Sequence, residues 1–443
     1  MGRAGLRAAA LASLIAATLT GGCSSAPPRG PSAATTTAVT STATVQQEAW
    51  RDARESAGSE LIRARAAALV TGDVRAWLAG VRGRDLRTAQ EKVFARMQAI
   101  RVEQLRLRSM EETRSPGPSM PGKSATWESR ATLEYRITGF DDSPRTFHLA
   151  LSFAADPARP GETVVLTGSH PDERPEPWDL DGLQVRRSDR SLVLAFGTRS
   201  TAGPVADEVA RRASTAARRV SGVLGAAEAA VWLVPATDDD AARLLGREVD
   251  GLDGIAAATD GPIGPGRPAG ADRIVVVPGA WSSLSGVGRD VVMAHELTHA
   301  TTRRTSKRQP PLWLAEGLAE FVAYRDVQLP ERELVRSTLD RIRSTGLPAG
   351  PPAAPEFQAS SGDLATAYGL SLTLARTIAD HHGTTGLVAL FRAVNESEPA
   401  PGPRPADADA MTEHVLRCRL GTTGREVIAR WHSRLAGLVA PSD

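Results

Sequence analysis

Apolar positions in the first half of the chain change their period near residue 105. From about Gln46 to Leu105 they recur every three to four residues, as on one face of a helix. The stretch "ELIRARAAALVTGDVRAWLAGV" sets Leu61, Ala64, Ala68 and Leu69 together, and "RTAQEKVFARMQAIRVEQL" does the same with Val93, Met97 and Ile100. The runs that follow, "SATWESRATLEYRITGF", "RTFHLALSFAA" and "GETVVLTGSHP", alternate apolar and polar in the strand period. Helices first and an antiparallel sheet after predict an α+β unit over residues 46–180, closed by the turn-rich "RPEPWDLDG".

The second half reads differently. "SLVLAFG", "AAVWLVP" and "RIVVVPGA" are short continuous apolar runs, the signature of buried strands. An amphipathic helix, "PVADEVARRASTAARRVSGVLG", separates the first two, and a Gly/Pro-rich loop precedes the third. Helical patterns then dominate. Leu372, Ala375, Ile378 and Ala379 form one core stripe, and Leu387, Leu390, Phe391 and Val394 another. His381 and His382 precede Gly383 at a predicted helix end and read as exposed. "LGTTGREVIARWHSRLAGL" closes the unit, with Trp431 inside and His432 outside. The chain has no internal repeat. His148 and His170 lie on strand-like segments and are assigned no role.

Charge and termini narrow the picture. Lys and Arg total 53 against 51 Asp and Glu, so the net charge of +2 does not mark a nucleic-acid binder. At the N-terminus Arg3 and Arg7 precede an apolar run from Ala8 to Leu19, too short to span a bilayer as a free helix. Thr20-Gly21-Gly22-Cys23 follows, with Leu19 one place beyond the usual leucine position. This segment resembles a bacterial lipoprotein signal. Residues 1–22 would then be removed and Cys23 lipidated, tethering an exported protein to the outer face of the cytoplasmic membrane. The other reading is an ordinary secretory signal. The Ser/Thr/Ala/Pro-rich residues to position 45 are expected to be a disordered tether with a reach of roughly 25 Å. Cys418 is the only other cysteine, so a lipidated Cys23 leaves it unpaired; "HVLRCRLG" suggests a small buried hydrophobe.

The chemistry concentrates in "VVMAHELTHATTRRTSKRQPPLWLAEGLAEF". Val291, Val292, His295, Thr298 and His299 fit one helical stripe, and an i, i+4 spacing brings two imidazoles to one ion. Glu296 projects beside them, placed to hold a water rather than to ligate; the pattern is HExxH. Seventeen residues beyond His299 lies Glu316, on a second predicted helix that buries Leu312, Leu318 and Phe321. Two histidines, a glutamate and a water form an open catalytic Zn2+ set. The alternative is that Glu316 and Glu320 are solvated helix charges.

With Trp313, Leu314, Glu316, Gly317 and Ala319, the HExxH segment resembles the gluzincin metallopeptidases, which include thermolysin-like enzymes and aminopeptidases. The likeness spans roughly residues 185–438 and is specific over 291–321. It implies a zincin domain, peptide or protein substrates, His295, His299 and Glu316 as zinc ligands, and Glu296 as general base. Tyr368 falls where the family carries an oxyanion donor, although Leu370-Ser371 replaces the lysine-glycine pair often seen after it; the other reading is a core phenol. Glu320, one turn after Glu316, is a candidate for holding a ligand imidazole from behind. No GAMEN-like segment is present, which favours endopeptidase over aminopeptidase action. The strand Ile274 to Val277 is the expected place for an extended substrate to add as a strand. "AALVTGDVRAWL" with the sheet after it resembles the cone folds related to nuclear transport factor 2. The alternative to a peptidase is a lipoprotein binding or scaffold module with a vestigial zinc site; a third reading has the N-terminal unit as an inhibitory or targeting module for the peptidase.

Overall fold

The computed structural model describes residues 42–116, 124–156, 163–261, 270–307, 309–358, 361–396 and 408–440. The predicted signal, Cys23 and most of the tether lie outside the described residues. Among the described residues no helix is long and apolar enough to cross a membrane.

The chain forms two compact units. The first comprises the described residues up to Ile137 together with Pro144–Asp179; the second comprises Thr138–Ser143 and the chain from Leu180 onward.

In the first unit three helices precede an antiparallel sheet, the order read from the apolar period. They are α1 (Thr42–Thr71), α2 (Val74–Leu78) and α3 (Arg84–Ile100). Asp73 caps α2, its carboxylate accepting from the Arg75 and Ala76 amides at 2.9 and 3.0 Å. On α1, Ala68 and Leu69 are buried as expected, but Ile62, Arg65 and Ala66 are inside where Leu61 is half-buried and Ala64 exposed. Alanines populate both registers, and Arg65 decides between them. Its guanidinium stacks on Trp77 at 3.9 Å and donates to the Trp77 carbonyl and to Gln90. The helical reading also ran too far. Arg101 turns left-handed (φ 62) and ends α3, and strand β1 (Val102–Arg114) begins at once. A register shift between Glu103 and Arg106 breaks its alternation, which hides the strand in the sequence. β1 pairs in an antiparallel meander with β2 (Ala125–Ile137), β3 (Arg145–Ala155) and β4 (Val165–Pro171). Trp127 stacks on Phe153, while Tyr135, Phe147 and Trp178 meet edge to face in the core.

The second unit is built on a five-stranded sheet ordered β5 (Gln184–Arg187), β6 (Ser191–Ala195), β7 (Ala230–Val234), β9 (Arg273–Val276), β8 (Ala257–Asp260). The central three strands run parallel and both edges are antiparallel. Every residue of β6, β7, β8 and β9 is buried, as expected for strands covered on both faces. Placing β9 inside the sheet corrects the docking expectation for Ile274–Val277. The edge strands are β5 and β8, and β8 has no alternation to reveal it.

Helices α4 (Arg199–Leu224) and α5 (Asp238–Leu245) lie between strands, and α6 (Pro278–Ser283) follows β9. Then come α7 (Gly286–Arg303), α8 (Leu312–Ala323), α9 (Glu331–Leu334), α10 (Arg336–Thr345), α11 (Leu364–Glu396), α12 (Ala408–Leu420) and α13 (Gly424–Val439). α7 packs on α4 and α8, and α8 on α11. Gly383 (φ 73) interrupts α11 just after His381 and His382. Trp431 is fully buried and donates to Thr373 Oγ1 at 2.8 Å; His432 is half-buried against the Pro348 carbonyl. Cys418 is exposed, not buried: on α12 the inward face is Met411, Thr412, Val415 and Leu416, and Cys418 sits off that stripe.

Candidate metal centre

Ser285 starts α7, its hydroxyl accepting from the Gly288 amide at 3.1 Å. From Val291 to Ala300 every residue of α7 is buried, and from Trp313 to Glu320 every residue of α8 is. Helices closed in all round must supply partners for each polar side chain they carry. His295, Glu296, His299, Glu316 and Glu320 are all at most 4 % exposed, so the solvated-charge reading of Glu316 and Glu320 fails. Gly317 makes the close approach to α11 possible: a Cβ there would stand 2.7 Å from the Ser371 carbonyl oxygen.

Three donor atoms converge. His295 Nε2 and His299 Nε2 are 3.0 Å apart, and Glu316 Oε2 is 3.2 Å from each. Donors at about 2.0–2.1 Å from a tetrahedral ion lie roughly 3.3 Å from one another. The triangle and its N₂O chemistry therefore fit a zinc-sized ion, with His295, His299 and Glu316 to hold it. Glu320 Oε1 reaches His295 Nδ1 at 2.8 Å, off the line of an ordinary hydrogen bond, and contacts it as a charge partner. Burial pushes the His295 imidazole down, but Glu316 and Glu320 outweigh it and raise the pKa to about 10. Burial likewise pushes Glu316 up, and the charge of His299 and the hydrogen bonds of both imidazoles overcome it, to about 2. Three buried carboxylates beside two imidazoles call for positive charge.

Glu296 lies beside this triangle without joining it. Its Oε2 accepts from Thr259 Oγ1 at 2.7 Å, while its Oε1 is buried without a hydrogen-bond partner. Thr259 sits on the edge strand β8 and is 2 % exposed. Tyr368, on α11, presents its ring edge-on to His295 at 5.8 Å and to Phe357 at the same distance. It is buried at the site. Thr259 was not legible in the sequence: it lies in the featureless "AAATDG", and only the tertiary fold carries it to Glu296. No protein-family model, curated protein or solved structure matches this chain.

Proposed function

We propose that the second unit is a zinc endopeptidase domain of the gluzincin kind. The observation that carries this reading is the 3.0–3.2 Å triangle of His295, His299 and Glu316 with the half-partnered Glu296 beside it. A bound zinc ion would supply Lewis acidity toward the scissile carbonyl and lower the pKa of a water near 7. The chain's own residues do the rest. Glu296 takes the proton of the attacking water on Oε1 and passes it to the leaving amine nitrogen. Tyr368 donates its hydroxyl hydrogen to the developing oxyanion. Glu320 holds the His295 ring from behind.

The same reading makes the protein an exported lipoprotein held by lipid on Cys23, with the N-terminal unit, similar in element order to the cone folds, as a targeting or inhibitory module. Membrane fractionation of the full chain beside Cys23→Ser checks the anchor; equal membrane recovery of both would exclude it.

The test of the site is elemental analysis of residues 24–443 beside His295→Ala, followed by a peptide-library digest with Glu296→Gln. One zinc per chain, lost in His295→Ala, is expected. Glu296→Gln is expected to keep the zinc and lose turnover by about 10²–10⁴-fold. Full turnover in Glu296→Gln would sink the mechanism. Zinc without turnover in the wild-type chain would favour the binding-module reading.

A further inference from the structure

Arg303 is the last residue of α7, where a cation ordinarily faces water and complements the helix dipole. Here it is 5 % exposed, and its donors go to another element. Nη2 donates to the Gly261 carbonyl at 2.6 Å and Nη1 to the Thr259 carbonyl at 3.4 Å. Nη2 also pairs with Asp272 Oδ1 at 3.4 Å. Gly261 follows β8 and Asp272 precedes β9, so one guanidinium ties together the ends of two paired strands. The glycine makes this possible, because a Cβ on residue 261 would collide with the Asp272 carboxylate.

Thr259 connects this clamp to the metal centre. Its carbonyl accepts from Arg303, and its hydroxyl donates to Glu296 Oε2 at 2.7 Å and lies 3.3 Å from the Glu296 carbonyl oxygen. Arg303 stands seven residues after Glu296, two turns along the same face of α7, so both side chains reach one strand. β8 is a four-residue edge strand, and its ladder holds it from one side only. Arg303 adds a second anchor from the helix side. A guanidinium suits that task, since its donors are fixed in a planar fork where an ammonium is a single point of charge.

We infer that Arg303 is a positioning residue: it fixes the backbone of Thr259, so that the threonine hydroxyl holds Glu296 Oε2 and leaves Oε1 unpaired for the proton of the attacking water. The inference rests on the peptidase reading and adds the residue that presets its general base.

The experiment is a double-mutant cycle on the zinc-loaded chain, with kcat and KM measured on a quenched fluorescent peptide. It compares wild type, Arg303→Met, Thr259→Val and the double variant. Arg303→Met should lower kcat about tenfold, as the loss of one orienting hydrogen bond would, with KM and zinc content unchanged. In the double variant kcat should stay within about twofold of Thr259→Val alone, because two residues acting through one bond do not add. Arg303→Lys should recover part of the rate, since it keeps the charge and loses the fork. Losses that multiply to about a hundredfold in the double variant, an unchanged kcat in Arg303→Met, or a loss carried by KM would each overturn the inference while leaving the peptidase reading intact. A second readout does not depend on turnover. Three-bond couplings from the Thr259 methyl carbon to its own backbone nitrogen and carbonyl carbon report the χ1 rotamer. One rotamer is expected in wild type and averaging among rotamers in Arg303→Met. A single rotamer that persists in Arg303→Met overturns the inference. If no peptide is cleaved, the peptidase reading fails and the couplings still decide Arg303. Should Arg303→Met fail to fold, Arg303→Lys carries the same cycle and the same couplings, with an expected loss in kcat of about threefold.

Discussion

At the residue scale the reactive group is defined by what holds it as much as by what it is. Glu296 has one oxygen tied to Thr259 and one left over, so the hydrogen bond selects which atom stays unpaired. Thr259→Val keeps shape and removes the donor. It should lower kcat about tenfold, the loss of one hydrogen bond of roughly 1.4 kcal/mol. Zinc content should stay the same, and Thr259→Ser should restore most of the rate. Unchanged kcat in Thr259→Val would show that the bond does not orient Glu296. HExxH was readable because an i, i+4 spacing within a helix is a local property. Thr259 was not, because its partner is 37 residues away.

At the element scale, the centre depends on how closely α8 and α11 approach and how firmly α4 and α7 are clamped. Gly317→Ala puts a Cβ against the Ser371 carbonyl, and α8 must move. The expected cost is about 1–3 kcal/mol, seen as a lower melting temperature, with weaker zinc retention because Glu316 precedes it. Between α4 and α7, Glu208 accepts from Arg212 and Arg289 at 2.9 and 2.8 Å, and Arg212 continues to Asp290. Burial pushes the Glu208 carboxyl up, but the hydrogen bonds from Arg289 and then Arg212 prevail and hold it below the usual value. A carboxyl lowered on folding stabilises the protein above its unfolded pKa of about 4.5 and loses that effect as pH falls through the folded value. Glu208→Gln should therefore melt lower than wild type at neutral pH, with the gap closing as the pH falls below 4.5 and through the folded value. A gap that persists in acid would place the effect in packing rather than charge. The helical periods of this half were readable from stripes such as Leu387, Leu390 and Phe391. The exposure of Cys418 was not, since one residue of rotation moves a side chain off the buried face.

At the scale of the whole molecule, the second unit is discontinuous in sequence. Thr138–Ser143 belongs to it, and Asp141 in that segment makes a bidentate pair with Arg273 on β9, at 2.7 and 2.8 Å. Both side chains are at most 1 % exposed. Asp141→Ala in the full chain should cost about 3–5 kcal/mol, read by denaturant unfolding, because it leaves Arg273 without its carboxylate in the interior. A chain cut near residue 180 loses the same carboxylate and should show the same defect. Equal stability of Asp141→Ala and wild type would refute this. By itself the sequence determined the mixed α+β class, the helices-then-sheet order of the first unit and the pairing of two histidines on one helical turn, because periodicity and i, i+4 spacing are written in neighbouring residues. Only the tertiary structure decided that β8 rather than β9 forms a sheet edge, that Thr259 stands beside Glu296, and that a six-residue segment from the first half completes the second unit. Those facts depend on contacts between distant segments, which no local period encodes.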